Sequence, residues 1–269
     1  MMEIGLLLVL LIGIGAGAGV IAGLLGVGGG IILVPAFFYV FGHLGYGGDQ
    51  LMQVCVATSL ATIIATSMRS LQAHHAKGAV DWTLLRAWGL FVVLGAALGT
   101  GLAARVSSQA LQVIFGILAG IAGLYLAFGR ESWRLGGTVP RGALGATWPV
   151  GLGFFSAMMG IGGGTFGVPI QTLYAVPIHR AVATSSGLGV LIAMPAVAGF
   201  MTLDVAAAPP YSIGAVNLPA FATVIAATLI TAPYGARLAH RMDAQPLKRA
   251  FAIFITLVAL NMLRKVIFV

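Results

Sequence analysis

Residues 106–129 pass without a single charged side chain, and so do 87–104, 142–179, 181–203, 205–236 and 250–263, while residues 4–68 hold one charge, Asp49. Several of these runs reach the roughly 20 apolar residues that carry a helix across about 30 Å of hydrocarbon. A soluble domain is about 25% charged, whereas this chain is 7% charged and 59% hydrophobic with a mean hydropathy of +1.05. Strands of a membrane barrel alternate over about 10 residues, and these runs are longer and apolar on every face. The class is therefore an all-α polytopic membrane protein in contact with the lipid bilayer.

The net charge of +8 would point to nucleic acid in a soluble protein. Here the Lys and Arg fall between apolar runs, where orientation in the bilayer accounts for them and no nucleic-acid partner is expected. Cys55 is the single cysteine, so neither an intramolecular disulfide nor a cysteine-rich metal site can form. Met1-Met2-Glu3 lacks the basic region of a signal peptide, and the apolar run extends far past it, which predicts a retained first helix. No cofactor motif and no catalytic signature emerges: Gly162-Gly163-Gly164-Thr165 has the glycines of a phosphate loop but not its Gly-Lys-Ser/Thr.

About eight apolar segments are expected, over 4–41, 50–70, 83–104, 109–128, 143–177, 181–203, 213–239 and 247–267. They fall into two halves of four, residues 1–128 and 143–269, on either side of a polar loop at 129–142. Gly26-Val27-Gly28-Gly29-Gly30 with Pro35 in the first half returns as Gly160-Ile161-Gly162-Gly163-Gly164 with Pro169 in the second. Ala57-Thr58-Ser59 returns as Ala183-Thr184-Ser185, and Gly78-Ala79-Val80-Asp81 as Gly214-Ala215-Val216-Asn217, which reads as one unit used twice.

The glycine runs decide how the two copies lie. Residues 4–41 as one straight helix would be about 57 Å long, nearly twice the hydrocarbon thickness. If each run is the bend of a helical hairpin that returns to the side it entered, eleven basic residues share one face and only Arg105, Arg264 and Lys265 lie opposite. That distribution obeys the positive-inside rule. It predicts inverted repeats with both termini on the periplasmic side.

Three adjacent glycines cost about 1 kcal/mol each in a helix interior, so they mark a break whose freed backbone groups need partners in protein or in a water-filled cavity. Transporters use such breaks to present helix N-termini, with their N–H donors and positive dipole end, to an anion. Gly28, Gly29 and Gly30, and Gly162, Gly163 and Gly164 with the Thr165 hydroxyl, are the expected substrate-binding residues. Close helix packing is the competing explanation of such glycines. Thr58, Ser59, Thr184 and Ser185 add hydroxyls at equivalent places in both halves, and Gln171 is a lone amide in an apolar stretch. The six acidic residues all lie in loops or at segment ends, so no intramembrane carboxylate is available to bind a bare cation or relay protons. Arg69 and His74 close the second segment and could form a basic vestibule. His74 and His75 are adjacent, so on a helix they diverge and make a poor metal pair.

The pattern resembles the TauE/SafE family of bacterial membrane proteins. The resemblance rests on Gly23-Leu24-Leu25-Gly26-Val27-Gly28-Gly29-Gly30 with Pro35, Ala57-Thr58-Ser59-Leu60, His74 followed by Gly78-Ala79-Val80-Asp81-Trp82, Gly160-Ile161-Gly162-Gly163-Gly164 with Val168-Pro169, Ala183-Thr184-Ser185 and Gly235-Ala236-Arg237-Leu238-Ala239. It implies an inner-membrane permease that exports a small sulfur-containing anion such as sulfite or an organosulfonate, which agrees with an interior free of carboxylates. Two alternatives fit the same residues: a cation- or proton-coupled importer of small anions, and a membrane enzyme or assembly subunit that transports nothing.

Overall fold

A computed structural model of the chain describes residues 2–25, 29–129, 133–140, 142–239 and 244–267. Residues 4–41, too long for one span, hold two helices, α1 (Met2–Leu25) and α2 (Gly30–His43). α3 (Leu51–Ala76), α4 (Trp82–Ala103) and α5 (Ser108–Phe128) follow. The second half holds α6 (Gly142–Met159), α7 (Gly164–Leu173), α8 (Ile178–Met201), α9 (Leu218–Ala239) and α10 (Ala244–Ile267). By length and composition, α3, α4, α5 and α8 are each able to cross a membrane. At 1.5 Å per residue α2 and α7 are about 21 and 15 Å long, too short to do so.

Two boundaries depart from the sequence reading. α3 continues past residue 70 to Ala76, because nothing in Leu71-Gln72-Ala73-His74-His75 breaks a helix once the chain has left the apolar core. The connection after α8 is not all helical: β1 (Ser212–Ile213) and β2 (Val216–Asn217) pair antiparallel in a two-residue ribbon. Gly214 turns it with φ +56°, and Gly78, its match in the first half, has φ +64°. Each repeated Gly-Ala-Val-Asp/Asn stretch is thus a left-handed turn that ends in a helix cap. The Asp81 carboxylate accepts from Leu84 N at 2.9 Å to start α4, and Asn217 Oδ1 accepts from Ala220 N at 2.9 Å to start α9.

The outward faces are apolar. On α5, Ile117, Ile121, Leu124 and Phe128 form an exposed stripe at helical spacing, as do Leu90, Leu94, Leu98 and Leu102 on α4. The small and polar residues lie inside. α3 and α8 are the innermost of the four long spans and carry buried Gln53, Thr58, Ser59, Thr62, Ser67, Thr184 and Ser185. This inside-out distribution is what a lipid solvent demands.

Packing pairs helices across the two halves. α1 lies on α9 in parallel: a Cβ on Gly15 would meet Val224 and Ala227, one on Gly19 would meet Thr228, and Thr228 Oγ1 donates to the Gly15 carbonyl at 3.2 Å. α4 lies on α6 in the same way, with Gly95 against Val150 and Gly99 against Phe154. α5 and α10 run antiparallel, with Gly116 against Leu263 and Gly123 against Thr256. α3 crosses α8 antiparallel, Ser67 facing Gly189 and Leu71 facing Gly187. Glycine at these contacts lets helix axes approach closely enough for backbone-to-backbone contact.

Candidate functional site

The end of the first glycine run, at Gly30, meets the second run inside the bundle. A Cβ on Gly30, the first residue of α2, would lie 2.7 Å from the Gly160 carbonyl oxygen and 3.0 Å from Ile161 Cα. Gly160 itself has φ +70° and lodges against Val34 and Val56. Gly162 faces Ile63, midway along α3, and Gly163 packs on the backbone of Ser185 and Gly189, midway along α8. The tip of the α6–α7 bend therefore lies level with the middle of α3 and α8. Gly29 caps α2, its carbonyl accepting from Ile32 N and Leu33 N at 3.0 Å each; Gly28 lies outside the described residues.

Gly30 and Gly163 allow no side chain because backbone sits where a Cβ would go, which is the close-packing role. Gly162 differs: the nearest atoms to a Cβ there are Ile63 Cγ2 at 3.4 Å and Ser67 Oγ at 4.0 Å. Beyond it α7 begins at Gly164, and its first rung is Gly167 N to the Gly163 carbonyl at 2.8 Å. The N–H groups of Gly164, Thr165 and Phe166 precede that rung and are the free donors of a helix N-terminus.

The predicted hydroxyls are all buried, and most are engaged across the two halves. Thr58 Oγ1 accepts from Asn217 N at 3.1 Å, and Thr184 Oγ1 accepts from Asp81 N at 3.0 Å, so each half steadies the cap residue of the other. Ser59 Oγ donates to the Gly160 carbonyl at 2.7 Å, which uses its only hydrogen. Ser185 Oγ accepts from Gln171 Nε2 at 2.8 Å, and the same amide nitrogen donates to the Gly167 carbonyl at 3.0 Å. One Gln171 hydrogen thereby ties α7 to α8, the other bonds back within α7, and Oε1 is buried with no partner. An acceptor alone is a poor contact for an anion.

Thr165 stands apart. It is 8% exposed, lies in the first turn of α7, and its Oγ1 has no hydrogen-bond partner. Buried hydroxyls are normally satisfied. Two more serines were not singled out from sequence: Ser67, whose Oγ lies by Gly162 and Gly189, and Ser156 on α6, fully buried without a partner for its Oγ. Ser67 follows Ser59 and Ile63 at four-residue steps on one face of α3, and that spacing was the available signal. None of the buried polar side chains among the described residues carries a formal charge; all are hydroxyls or amides.

Arg69 and His74 do not converge. Five residues apart on α3, they project about 140° apart around its axis. His74 is half-buried and interacts with Lys77 and His179, while Arg180 pairs with Asp81 at 3.3 Å; Arg69 is exposed on another face. Among the described residues, no group of three or more His, Cys, Asp and Glu could hold a metal ion.

A family model described as "Sulfite exporter TauE/SafE" matches residues 11–262. A "Probable membrane transporter protein" of Haemophilus influenzae is 30% identical over 256 residues, which cover 94% of this chain and 96% of that protein. A protein of the same description from Methanocaldococcus jannaschii is 24% identical over 262 residues, 97% of each chain. No solved structure matches. With its apolar helices and a family match that leaves only the two ends uncovered, this chain is a membrane transporter that belongs to the TauE/SafE family.

Proposed function

We propose that this transporter carries a small sulfur-containing oxyanion, such as sulfite or an organosulfonate, outward across the bacterial inner membrane. The anion lies at the N-terminus of α7, where backbone N–H groups and the hydroxyls of Thr165 and Ser67 replace part of its hydration. The Thr165 hydroxyl carries this reading: a buried donor without a partner, in the first turn of a helix that starts level with the middle of α3 and α8. Unpaired donors, a positive dipole end and the absence of buried charge among the described residues suit an anion and not a bare cation. Gly30 gives the two runs their close approach, Gly163 packs on the backbone of α8, and Thr58, Ser59, Thr184, Ser185 and Gln171 hold the surrounding frame.

Alternating access follows from two inverted repeats, residues 1–128 and 143–269. What supports inversion is direction: the repeat-equivalent helices α5 and α10 run antiparallel, as do α3 and α8, whereas α1 lies parallel to α9 and α6 parallel to α4. A two-fold axis in the membrane plane relates helices in this way. Each repeat rocks against the other about the meeting point of the glycine runs, with both termini periplasmic.

Flux measurements test the proposal. Proteoliposomes loaded with labelled sulfite, sulfonate, sulfate or thiosulfate should release at least one of them far faster than protein-free vesicles. Thr165→Val should weaken transport about tenfold or more, since a hydrogen bond to a charged group contributes roughly 1.5–3 kcal/mol. Its melting temperature should hardly move, because that hydroxyl has no internal partner to lose. Absence of any protein-dependent anion flux sinks the reading, and wild-type flux in Thr165→Val moves the site elsewhere.

A further inference from the structure

At the end of the molecule where α2 and α10 finish and α3 begins, Phe38, Tyr39, Gly42, His43, Leu51 and Lys265 line a cavity of about 380 Å³. It is remote from the glycine runs: thirteen residues of α2, about 20 Å of helix, separate His43 from Gly30. The Lys265 ammonium lies 4.3 Å from the centre of the Tyr39 ring and 5.3 Å from that of Phe38. Aromatic faces hold a cation without neutralising it. Among the described residues the one ion pair is Arg180 with Asp81, so no described carboxylate balances Lys265. Arg264 adds a second positive charge near Tyr39. The Tyr39 hydroxyl is buried beside this cation with no hydrogen-bond partner.

The polar side-chain groups here are an ammonium, a phenol hydroxyl and, at the rim, an exposed imidazole, and each offers at least one hydrogen. Phe38 and Leu51 make the remaining wall apolar. The volume falls within the range of about 300–1,000 Å³ typical of small-molecule sites, more room than a bare four- or five-atom anion needs. We infer that this cavity binds an amphiphilic oxyanion, its phosphate or sulfonate group on Lys265 and the Tyr39 hydroxyl and its apolar body against Phe38 and Leu51. Such a group can arrive on a phospholipid of the surrounding leaflet or on a soluble alkyl sulfonate. The site is independent of whatever binds at α7.

The test uses the full chain purified in a neutral detergent. Native mass spectrometry compares retention of dioleoyl-phosphatidylglycerol with that of dioleoyl-phosphatidylcholine, and calorimetry compares hexanesulfonate with hexanol. At least one anionic probe should bind tenfold or more tightly than its neutral counterpart: preference for the phosphatidylglycerol identifies a lipid, and preference for hexanesulfonate alone identifies a soluble ligand. Lys265→Gln should reduce that preference at least fivefold, and Tyr39→Phe by a smaller factor. Gly42→Val should block the cavity with no change in charge, because a Cβ there lies 3.3 Å from Leu51 Cδ2 at the cavity wall. Equal binding of anionic and neutral probes by the wild type overturns the inference. So does a full preference retained in either Lys265→Gln or Gly42→Val when the variant elutes and melts like the parent.

Discussion

Gly160 concentrates more constraint than any other residue of the second glycine run. Its left-handed backbone disfavours a side chain, a Cβ would press into Val34 Cγ2 at 2.7 Å and Val56 Cα at 2.9 Å, and its carbonyl takes the Ser59 hydroxyl. Gly160→Ala meets both the left-handed penalty of about 1–2 kcal/mol and an overpacking cost of about 1–3 kcal/mol. Its unfolding midpoint in detergent should drop by several degrees or more. Gly162→Ala, two residues on, meets nothing closer than 3.4 Å and has no left-handed angle, so it should melt close to the parent. Equal midpoints for the two variants would show that the bend tolerates what the geometry forbids. The sequence displays these glycines as one motif, yet they divide the work: Gly160 turns the chain, Gly30 and Gly163 admit backbone, and Gly162 borders the Ser67 hydroxyl. No pattern of glycine letters separates those tasks, because each depends on what a distant helix brings to it.

The elements that begin α4 and α9 answer to a shared design with unequal reinforcement. Asp81 and Asn217 both cap a helix and both have their own N–H held by a threonine of the opposite half. Asn217 is buried and also donates to the Pro210 carbonyl and to Ser212 Oγ, at 3.0 and 3.1 Å, which ties the ribbon to the cap. Asp81 has instead a part-exposed ion pair with Arg180, of the kind that adds little stability. Asp81→Ala should therefore cost about 0.5–2 kcal/mol, the usual range for a lost cap. Asn217→Ala should cost more, about 2–4 kcal/mol, with the added loss of bonds from a buried amide. Thermal unfolding of the two variants checks the order, and a more damaging Asp81→Ala would refute it. The repeated Gly-Ala-Val-Asp/Asn and Ala-Thr-Ser stretches were legible as pairs. That each Thr serves the other half was not, since the partners lie 103 and 159 residues apart. The ribbon was also invisible, because two-residue strands leave no periodicity to read.

For the molecule as a whole, the charge-poor runs and the breaks within them located the four long apolar helices α3, α4, α5 and α8, because lipid excludes charge wherever a helix must face it. The level of the second bend along its neighbours was beyond sequence: it took Ile63 and Gly189, halfway along α3 and α8, to place it against them. Ser67 escaped because its match in the second half is Ala193, so repetition gave it no emphasis. The inverted arrangement proposed above makes a prediction at this scale. Topology reporters fused within 129–141 and at the C-terminus should report opposite sides of the membrane, the loop inside, and a shared side would exclude inversion. The pairing of α1 with α9 has a further consequence, in time. The groove that Gly15 and Gly19 open on α1 is filled by Val224 and Thr228, more than two hundred residues later in the chain. At about 5–20 residues per second of synthesis, α1 waits roughly 10–40 s in the bilayer before α9 emerges. Its glycine face must stay unclaimed by other helices for that interval, and the fold closes only as the last helices leave the ribosome.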